Sequence, residues 1–269
     1  LRGREDGVMM LAGSGRTVAG VILAGAANDG ELAGCSDEPY EALVRLAGKP
    51  MVQYVVDAVR ESCRVDSALV VGFPEFRDHL SLDGVDLAPA GQSFIDSITV
   101  GLEMNSEADY LLFVTSDVPL ISAHVIDEFI DMCLQVDGEF FVPIVQRETS
   151  EAQFPGIERT YARLRDGSFT LGNCFFGSRP AIERTLPRLR VLYEARKNPV
   201  RIAASVGIGF LIRLVTGTCT VEYAERVLRR ITGTTGRAVI CSQAEIALDV
   251  DDAEQLRGVE DLVLRETME

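Results

Sequence analysis

Five short apolar runs alternate with stretches of helical spacing up to residue 145, and this alternation constrains the fold more than any other feature. The runs cover residues 17–24, 68–71, 85–88, 110–115 and 140–145, and the first four are followed by Gly25, Gly72, Pro89 and Ser116-Asp117. Between them, Met51, Tyr54, Val55, Ala58 and Val59 recur at helical spacing behind Pro50, a residue tolerated in a helix's first turn. Residues 93–104 place Phe94, Ile95, Ile98 and Leu102 on one helical face, and Ser122 is positioned to cap a helix reaching about residue 135. Continuous apolar strands separated by helices predict a mainly parallel sheet covered on both faces, a three-layer α/β/α arrangement. Such sheets bind ligands at the carboxyl ends of their strands.

The second half changes character. Residues 160–165 and 169–176 flank Asp166-Gly167, a hairpin signal. Residues 181–231 read as two or three helices, so 179–231 is expected to be a helical insertion. Strand character returns at 238–240 and 246–250, and Asp252 is placed to cap a last helix through Leu264. Without an internal repeat or a low-complexity linker, one domain is expected. Residues 1–16 are mixed polar and Gly-rich and lack the apolar core of a signal peptide, so a flexible start and a cytoplasmic location are expected. Six scattered cysteines, with no C-x-x-C pair, argue against zinc and against a disulfide framework. A net charge of −15 disfavours nucleic acid or an anionic membrane surface as partner. No apolar run approaches the roughly 18 residues that suggest a membrane span.

Several segments carry candidate chemistry. Leu23, Ala24, Gly25, Ala26, Ala27 and Asn28 begin the loop that follows the first strand and runs to Gly30. Small residues there let backbone approach a phosphate or a base closely, although many such loops are only tight turns. Lys49, in Gly48-Lys49-Pro50, stands where a helix N-terminus adds partial positive charge for a phosphate; the competing reading is a surface lysine. Asp117 follows the 110–115 strand and precedes Val118-Pro119, where a carboxylate either holds Mg²⁺ against phosphates or closes a turn. Asp249 and Asp251 lie two apart, so on an extended segment they point to one side and make a metal position; the alternative is a solvated strand end beside a capping Asp252. Arg159, Arg163 and Arg165 offer one cationic face, suited to a phosphorylated acceptor or simply solvated. His79 and His124 stand alone and read as surface or capping histidines.

Taken in order, V-I-L-A-G (21–25), G-K-P-M-V-Q-Y-V-V-D-A (48–58), A-G-Q-S-F-I-D-S-I-T-V-G-L (90–102), F-V-T-S-D-V-P-L (113–120) and A-L-D-V-D-D-A-E-Q-L (247–256) form a pattern. The pattern resembles the molybdenum-cofactor guanylyltransferase-like NTP transferase superfamily, whose relatives include the cytidylyltransferases of the methylerythritol pathway and sugar-phosphate nucleotidyltransferases. The resemblance covers residues 18–145 and the C-terminal strand and helix; residues 181–231 have no counterpart in it. It implies a Rossmann-like fold of the nucleotide-diphospho-sugar transferase type. It also implies transfer of an NMP moiety from an NTP to a phosphorylated small-molecule acceptor, with release of pyrophosphate. On this resemblance residues 23–30 wrap the base and triphosphate, and the segment holding Gly91, Ser93 and Ser97 helps to select the base. Asp117 binds Mg²⁺ (or Mn²⁺) with a second ligand at Asp251, while Lys49 assists the pyrophosphate or the acceptor. The hairpin with Arg163, and the Gly172-Asn173 pair, face the acceptor. The oligomeric state is left open, a homodimer included.

Three positions depart from that pattern. Ala26 stands where the family usually has a second Gly, Gly30 where it has an Arg, and Glu41 where it has a Lys. Cations at such places supply transition-state stabilisation, so their loss has to be met elsewhere. Arg45, Arg147, Arg163, Arg165 or Lys197 would substitute, or the acidic residues would recruit an extra metal ion. The remaining reading is a catalytically degenerate nucleotide-binding or sensing protein on the same fold. A glycosyltransferase fits less well, because the usual D-x-D after the central strand is here Asp117-Val118-Pro119.

Overall fold

The structure is a computed structural model that describes residues 15–195 and 198–268. Its strands and helices follow in the order β1 (Val18–Leu23), β2 (Arg45–Leu46), β3 (Lys49–Pro50), α1 (Met51–Glu61), β4 (Ser67–Gly72), β5 (Val85–Pro89), α2 (Phe94–Met104), β6 (Tyr110–Thr115), α3 (Ala123–Leu134), β7 (Phe140–Gln146) and α4 (Arg147–Gln153). The hairpin β8 (Ala162–Leu164) and β9 (Gly167–Leu171) comes next, then β10 (Cys174–Ser178), α5 (Arg179–Ala195), α6 (Pro199–Val206), α7 (Ile208–Val215), α8 (Val221–Thr232), β11 (Gly236–Cys241) and α9 (Ala253–Met268). Most of the stretch expected to be flexible, residues 1–14, lies outside the described residues.

The main sheet runs β5-β4-β1-β6-β10-β7, parallel from β5 to β6, with β10 antiparallel to both of its neighbours. β7 also pairs in parallel with β11 and antiparallel with β9, which carries β8 at its side. The chain leaves β1 toward β4 and β5, then crosses back to β6 on the other side of β1. The order therefore reverses between β1 and β6, the position where sheets of this kind open a crevice.

Both faces of the central strands are apolar because both are covered. Val18 and Ile22 of β1, with Leu112 and Val114 of β6, pack against Val55 and Val59 of α1 and Phe129 of α3. Val21 and Leu23, with Leu111 and Phe113, pack on the opposite side against Ile95, Ile98 and Leu102 of α2 and Ile182 of α5. Two glycines set how closely the helices approach. A Cβ at Gly20 would stand 2.5 Å from Val59 Cγ1, and one at Gly101 of α2 would stand 2.6 Å from Val21 Cγ1. A third cluster joins Leu32, Val44, Leu46, Met51, Leu248, Val250 and Val259, and so ties the loops beyond β1 to the C-terminal segment. Ser122 caps α3 as expected, its hydroxyl accepting from Val125 N, and Ser93 does the same for α2, accepting from Asp96 N.

Several expectations are corrected. Residues 246–250 are not a strand: Ala244–Ala247 is a 3-10 turn and the following residues are irregular. The backbone groups there bond singly to different elements, Val250 N–H to Asp117 O and Ile246 O from Asn173 N–H, rather than to one partner strand. Residues 42–46 read in the sequence as a short extended piece ended by Gly48; they are instead the end of a 3-10 turn over Glu41–Leu43 followed by the two-residue β2. The second hairpin arm is not continuous, because Gly172-Asn173 separates β9 from β10. Among the described residues the insertion holds four helices rather than two or three, with Pro187 accommodated inside α5. Among the described residues no helix is long and apolar enough to cross a membrane.

Candidate active site

Neighbouring strand ends create the site. Leu23 of β1 pairs with Thr115 of β6, so the loop after β1 and the Ser116-Asp117 turn start side by side. The loop is held by its own backbone. Ala24 N–H donates to Val71 O, Glu41 N–H to Ala26 O, and Ala27 forms a bridge with Tyr40. Asn28 closes it: its amide donates to Ser36 O (3.2 Å) and Glu38 O (2.9 Å), and its backbone N–H to Pro39 O. Gly25 passes so close to the next segment that a Cβ there would stand 2.8 Å from Ala90 Cβ and 3.3 Å from Ser97 Oγ. Ser97 Oγ in turn accepts from Gly91 N–H at 3.1 Å. The two segments expected to meet a nucleotide are thus packed on each other, and the second runs directly into the Ser93-capped N-terminus of α2.

The acidic residues converge although their segment is not a strand. Asp117, Asp249 and Asp251 each offer a carboxylate oxygen, and these oxygens lie within 4.8 Å of one another. Asp117 is held by the Thr115 hydroxyl, which donates to its Oδ1, and Thr115 N–H is itself anchored on Asn173 O. The Val250 N–H bond to Asp117 O brings the other two carboxylates across. Asp251 N–H donates to Gln255 Oε1, and Asp252 caps α9 by accepting from the N–H groups of Glu254 and Gln255.

Burial pushes the Asp117 carboxyl up to about 7; the Thr115 hydrogen bond opposes this, and the charges of Asp249 and Asp251 add to it. Asp251 is raised by burial and by Asp249, and Glu41 by burial and then by Asp251 and Asp29. Glu41 therefore adds a fourth acidic group to the same field. Crowded carboxylates that resist ionisation are a poor arrangement for an apoprotein and a suitable one for a hard divalent cation, which takes oxygen ligands. The donor set fits Mg²⁺ or Mn²⁺.

Arg159 is the residue whose role sequence reading underestimated. Its side chain is 7% exposed, ion-paired with the Asp249 carboxylate, and it donates to the carbonyls of Asp249 (3.1 Å) and Ala247. The alternation Arg159, Arg163, Arg165 was the available signal, but it does not tell which of the three turns inward. A cleft of about 660 Å³ opens beside the cluster, lined by Arg159, Thr170, Gly172, Asn173, Asp249 and Asp251, among others. Gly172 is pinched there, since a Cβ would stand 2.5 Å from Pro143 Cγ. An apolar cavity of about 300 Å³ under the hairpin shares Ala162, Phe169, Thr170 and Leu171 with the cleft.

Two expected site residues stand apart. The Lys49 ammonium lies 2.5 Å from Asp57 Oδ2 and 4.1 Å from the centre of the Tyr54 ring, so it serves α1 and does not join the carboxylates. Arg163 is exposed and lies near Gly217, outside the cleft lining. The other substitute cations do not line the cleft either. Arg45 faces Glu38 and Gly48 O, Arg147 pairs with Glu151, Arg165 is exposed, and Lys197 lies outside the described residues. Among the described residues, Arg159 is the one basic side chain of the cleft, and its charge is already matched by Asp249.

The chain is similar to known proteins of one kind. The model of the MobA-like NTP transferase domain matches residues 20–197. No curated protein gives a significant match. A hypothetical transferase from Thermus thermophilus is 29% identical, with 90% of this chain and 99% of that chain covered and a TM-score of 0.80. CMP:2-keto-3-deoxy-manno-octonic acid synthetase complexed with CTP shares the fold at 15% identity (93% and 99% covered, TM-score 0.60). So does 4-diphosphocytidyl-2C-methyl-D-erythritol synthase from Anaerococcus prevotii at 10% identity (93% and 96%, TM-score 0.59). The family model spans most of the chain and takes in the carboxyl ends of β1 and β6 with Asp117, while Asp249 and Asp251 come from beyond the matched residues; the chain belongs to the MobA-like NTP transferase family.

Proposed function

We propose that the chain is a metal-dependent nucleotidyltransferase that moves an NMP moiety from an NTP to a phosphorylated small-molecule acceptor. The observation that carries this reading is the convergence of Asp117, Asp249 and Asp251 beside the loop that follows β1. Asp117 and Asp251, with Asp249, would hold Mg²⁺ or Mn²⁺, which when bound neutralises phosphate charge and orients the phosphates. An oxygen of the acceptor forms the new bond to the α-phosphorus, the bond from that phosphorus to the bridging oxygen breaks, and its electron pair leaves with pyrophosphate. An ionised acceptor needs no general base. Residues 23–28 contribute close backbone approach, since the family's Arg is Gly30 here, and Gly91 to Ser97 form the adjoining wall. Gly172 and Asn173 belong to the cleft where the acceptor would enter. Arg159 positions Asp249.

The acidic field also gives a second reading some support. Glu41, in the place of the family's Lys, is close enough to Asp251 to be raised by its charge, which favours a nucleotide-binding protein that does not transfer. Pyrophosphate release, measured with each NTP, Mg²⁺ or Mn²⁺ and a pool of phosphorylated acceptors, separates the two. Transfer that is lost in Asp251→Asn supports the enzyme. Nucleotide-induced thermal stabilisation without any turnover, together with turnover appearing in Glu41→Lys, supports the binding protein.

A further inference from the structure

The net charge of the chain conceals an inversion. Residues 179–231 hold eleven Arg and Lys against four Glu, a net +7 in a chain whose total is −15. Part of that charge is used internally: Arg179 pairs with Glu183, Arg184 with Glu139, Arg190 with Asp96 and Arg226 with Glu222. Arg188, Arg201, Arg213 and Arg229 are exposed and pair with no carboxylate among the described residues.

The same insertion exposes apolar surface that a folded core would cover. α7 buries none of its residues, although seven of its eight positions are Ile, Gly, Phe, Leu or Val. Ile208, Ile212 and Val215 are 70%, 56% and 88% exposed, and their spacing puts them on one face of the helix. Gly207, at φ +92°, lets the chain turn between α6 and α7, and its N–H closes the end of α6 on Ala203 O. An apolar helical face with surrounding arginines is the composition that an anionic lipid interface attracts. A second copy presenting the same surface would bring +7 against +7, which opposes an isologous dimer.

We propose that the α6–α7 pair is a membrane-docking element that lies in the interface of an anionic bilayer. Ile208, Ile212 and Val215 enter the acyl boundary, and the arginines of the insertion that have no carboxylate partner, Arg213 over the Tyr223 ring among them, meet headgroup phosphates. The remainder of the chain, at −22, is repelled by the same surface, so the insertion orients the molecule on it. The proposal does not depend on which nucleotide reaction the carboxylate site performs.

Co-sedimentation of the full chain with lipid vesicles tests it. The vesicles are phosphatidylcholine alone, or phosphatidylcholine with about one-third phosphatidylglycerol. The expected result is retention on the anionic vesicles, little on the neutral ones, and loss of most binding at high salt. Ile212→Glu/Val215→Glu and Arg201→Glu/Arg213→Glu alter exposed side chains that do not line the cleft, and each should weaken partitioning by roughly tenfold or more. Circular dichroism and unchanged nucleotide-induced thermal shifts establish that the variants are folded. No retention on anionic vesicles, or equal retention of wild type and both variants, overturns the proposal. So does a solution dimer that Ile212→Glu/Val215→Glu dissociates in the absence of any vesicle binding, since a second copy would then cover the face.

Discussion

Replacing Arg159 by Met keeps most of the side-chain stem and removes the charge that Asp249 faces. The guanidinium is 7% exposed and Asp249 is 19% exposed, so the pair is largely withdrawn from water. Removing one partner of a buried pair costs about 3–5 kcal/mol, because the other charge is left without compensation. The open edge of Asp249 puts this case at the low end, near ~3 kcal/mol, and the lost bonds to Ala247 O and Asp249 O are part of that figure. For a chain of this size each kcal/mol moves the midpoint by about 2–4 °C, so Arg159→Met should unfold roughly 6–12 °C below wild type in EDTA. The freed carboxylate also joins Asp117 and Asp251 in an uncompensated cluster. Mn²⁺ should therefore raise the midpoint of Arg159→Met by more than it raises wild type, and Asp249→Asn in the same background should recover part of the loss without metal. Differential scanning calorimetry of the three proteins, with EDTA and with Mn²⁺, makes the measurement. A fall of less than about 2 °C, or equal metal responses in wild type and Arg159→Met, would show that Arg159 does not offset the Asp249 charge.

Three further outcomes follow from the packing and the titrating groups. Asp117 has a native carboxyl raised to about 7, so between about pH 4 and 7 the folded metal-free protein holds a proton that the unfolded chain releases, and stability falls as pH rises through that window. Asp117→Asn should raise the midpoint in EDTA at pH 8 by the equivalent of about 1–2 kcal/mol and at pH 5 by roughly a third of that, as read by thermal melts at both pH values. Asp127 of α3 behaves in the opposite sense. Burial opposes its ionisation, but hydrogen bonds from Cys63 and Ser62 and from the N–H groups of Cys63 and Arg64 hold its carboxyl below the usual range. Its contribution is present above about pH 4 and lost as pH falls through its native value, so Asp127→Ala should cost about 1–3 kcal/mol in urea melts at pH 7 and clearly less near pH 3. Gly101→Ala drives a methyl into Val21 Cγ1 and Phe113 Cε1 between α2 and the sheet and should cost about 1–3 kcal/mol by chemical denaturation.

The fold was legible where local chemistry and tertiary role agree. The strand residues of β1 and β6 are apolar on both faces because helices cover both, and Ser93, Ser122 and Asp252 sit where helix N–H groups need acceptors. It was less legible where backbone bonds go one by one to different elements, as at 246–250, which alternates like a strand yet has no strand to pair with. At the site, position singled out Asp117 and Asp251 as candidates, but an Asp closing a turn and an Asp on a solvated strand end fit the same sequence, and the convergence of the carboxylates appears only in three dimensions. Lys49 precedes α1 and its ammonium turns to Asp57 within that helix, a pairing that the Gly-Lys-Pro signal does not reveal. Arg159 differs from Arg163 only in which way an irregular segment turns, and residue type carries no information on that. The insertion's apolar face was hidden for another reason: a total of −15 averages over a region of opposite sign.

The central claim is that Asp117, Asp249 and Asp251 form a divalent-cation site serving a nucleotide on the loop after β1. Titration of Mn²⁺ into wild type and into Asp251→Asn, with and without an NTP and followed by calorimetry, tests it most directly. Mn²⁺ binding should tighten in the presence of NTP and weaken by roughly tenfold or more in Asp251→Asn. Equal affinity in the two proteins, or no binding of Mn²⁺ to folded wild type with any NTP, would contradict it.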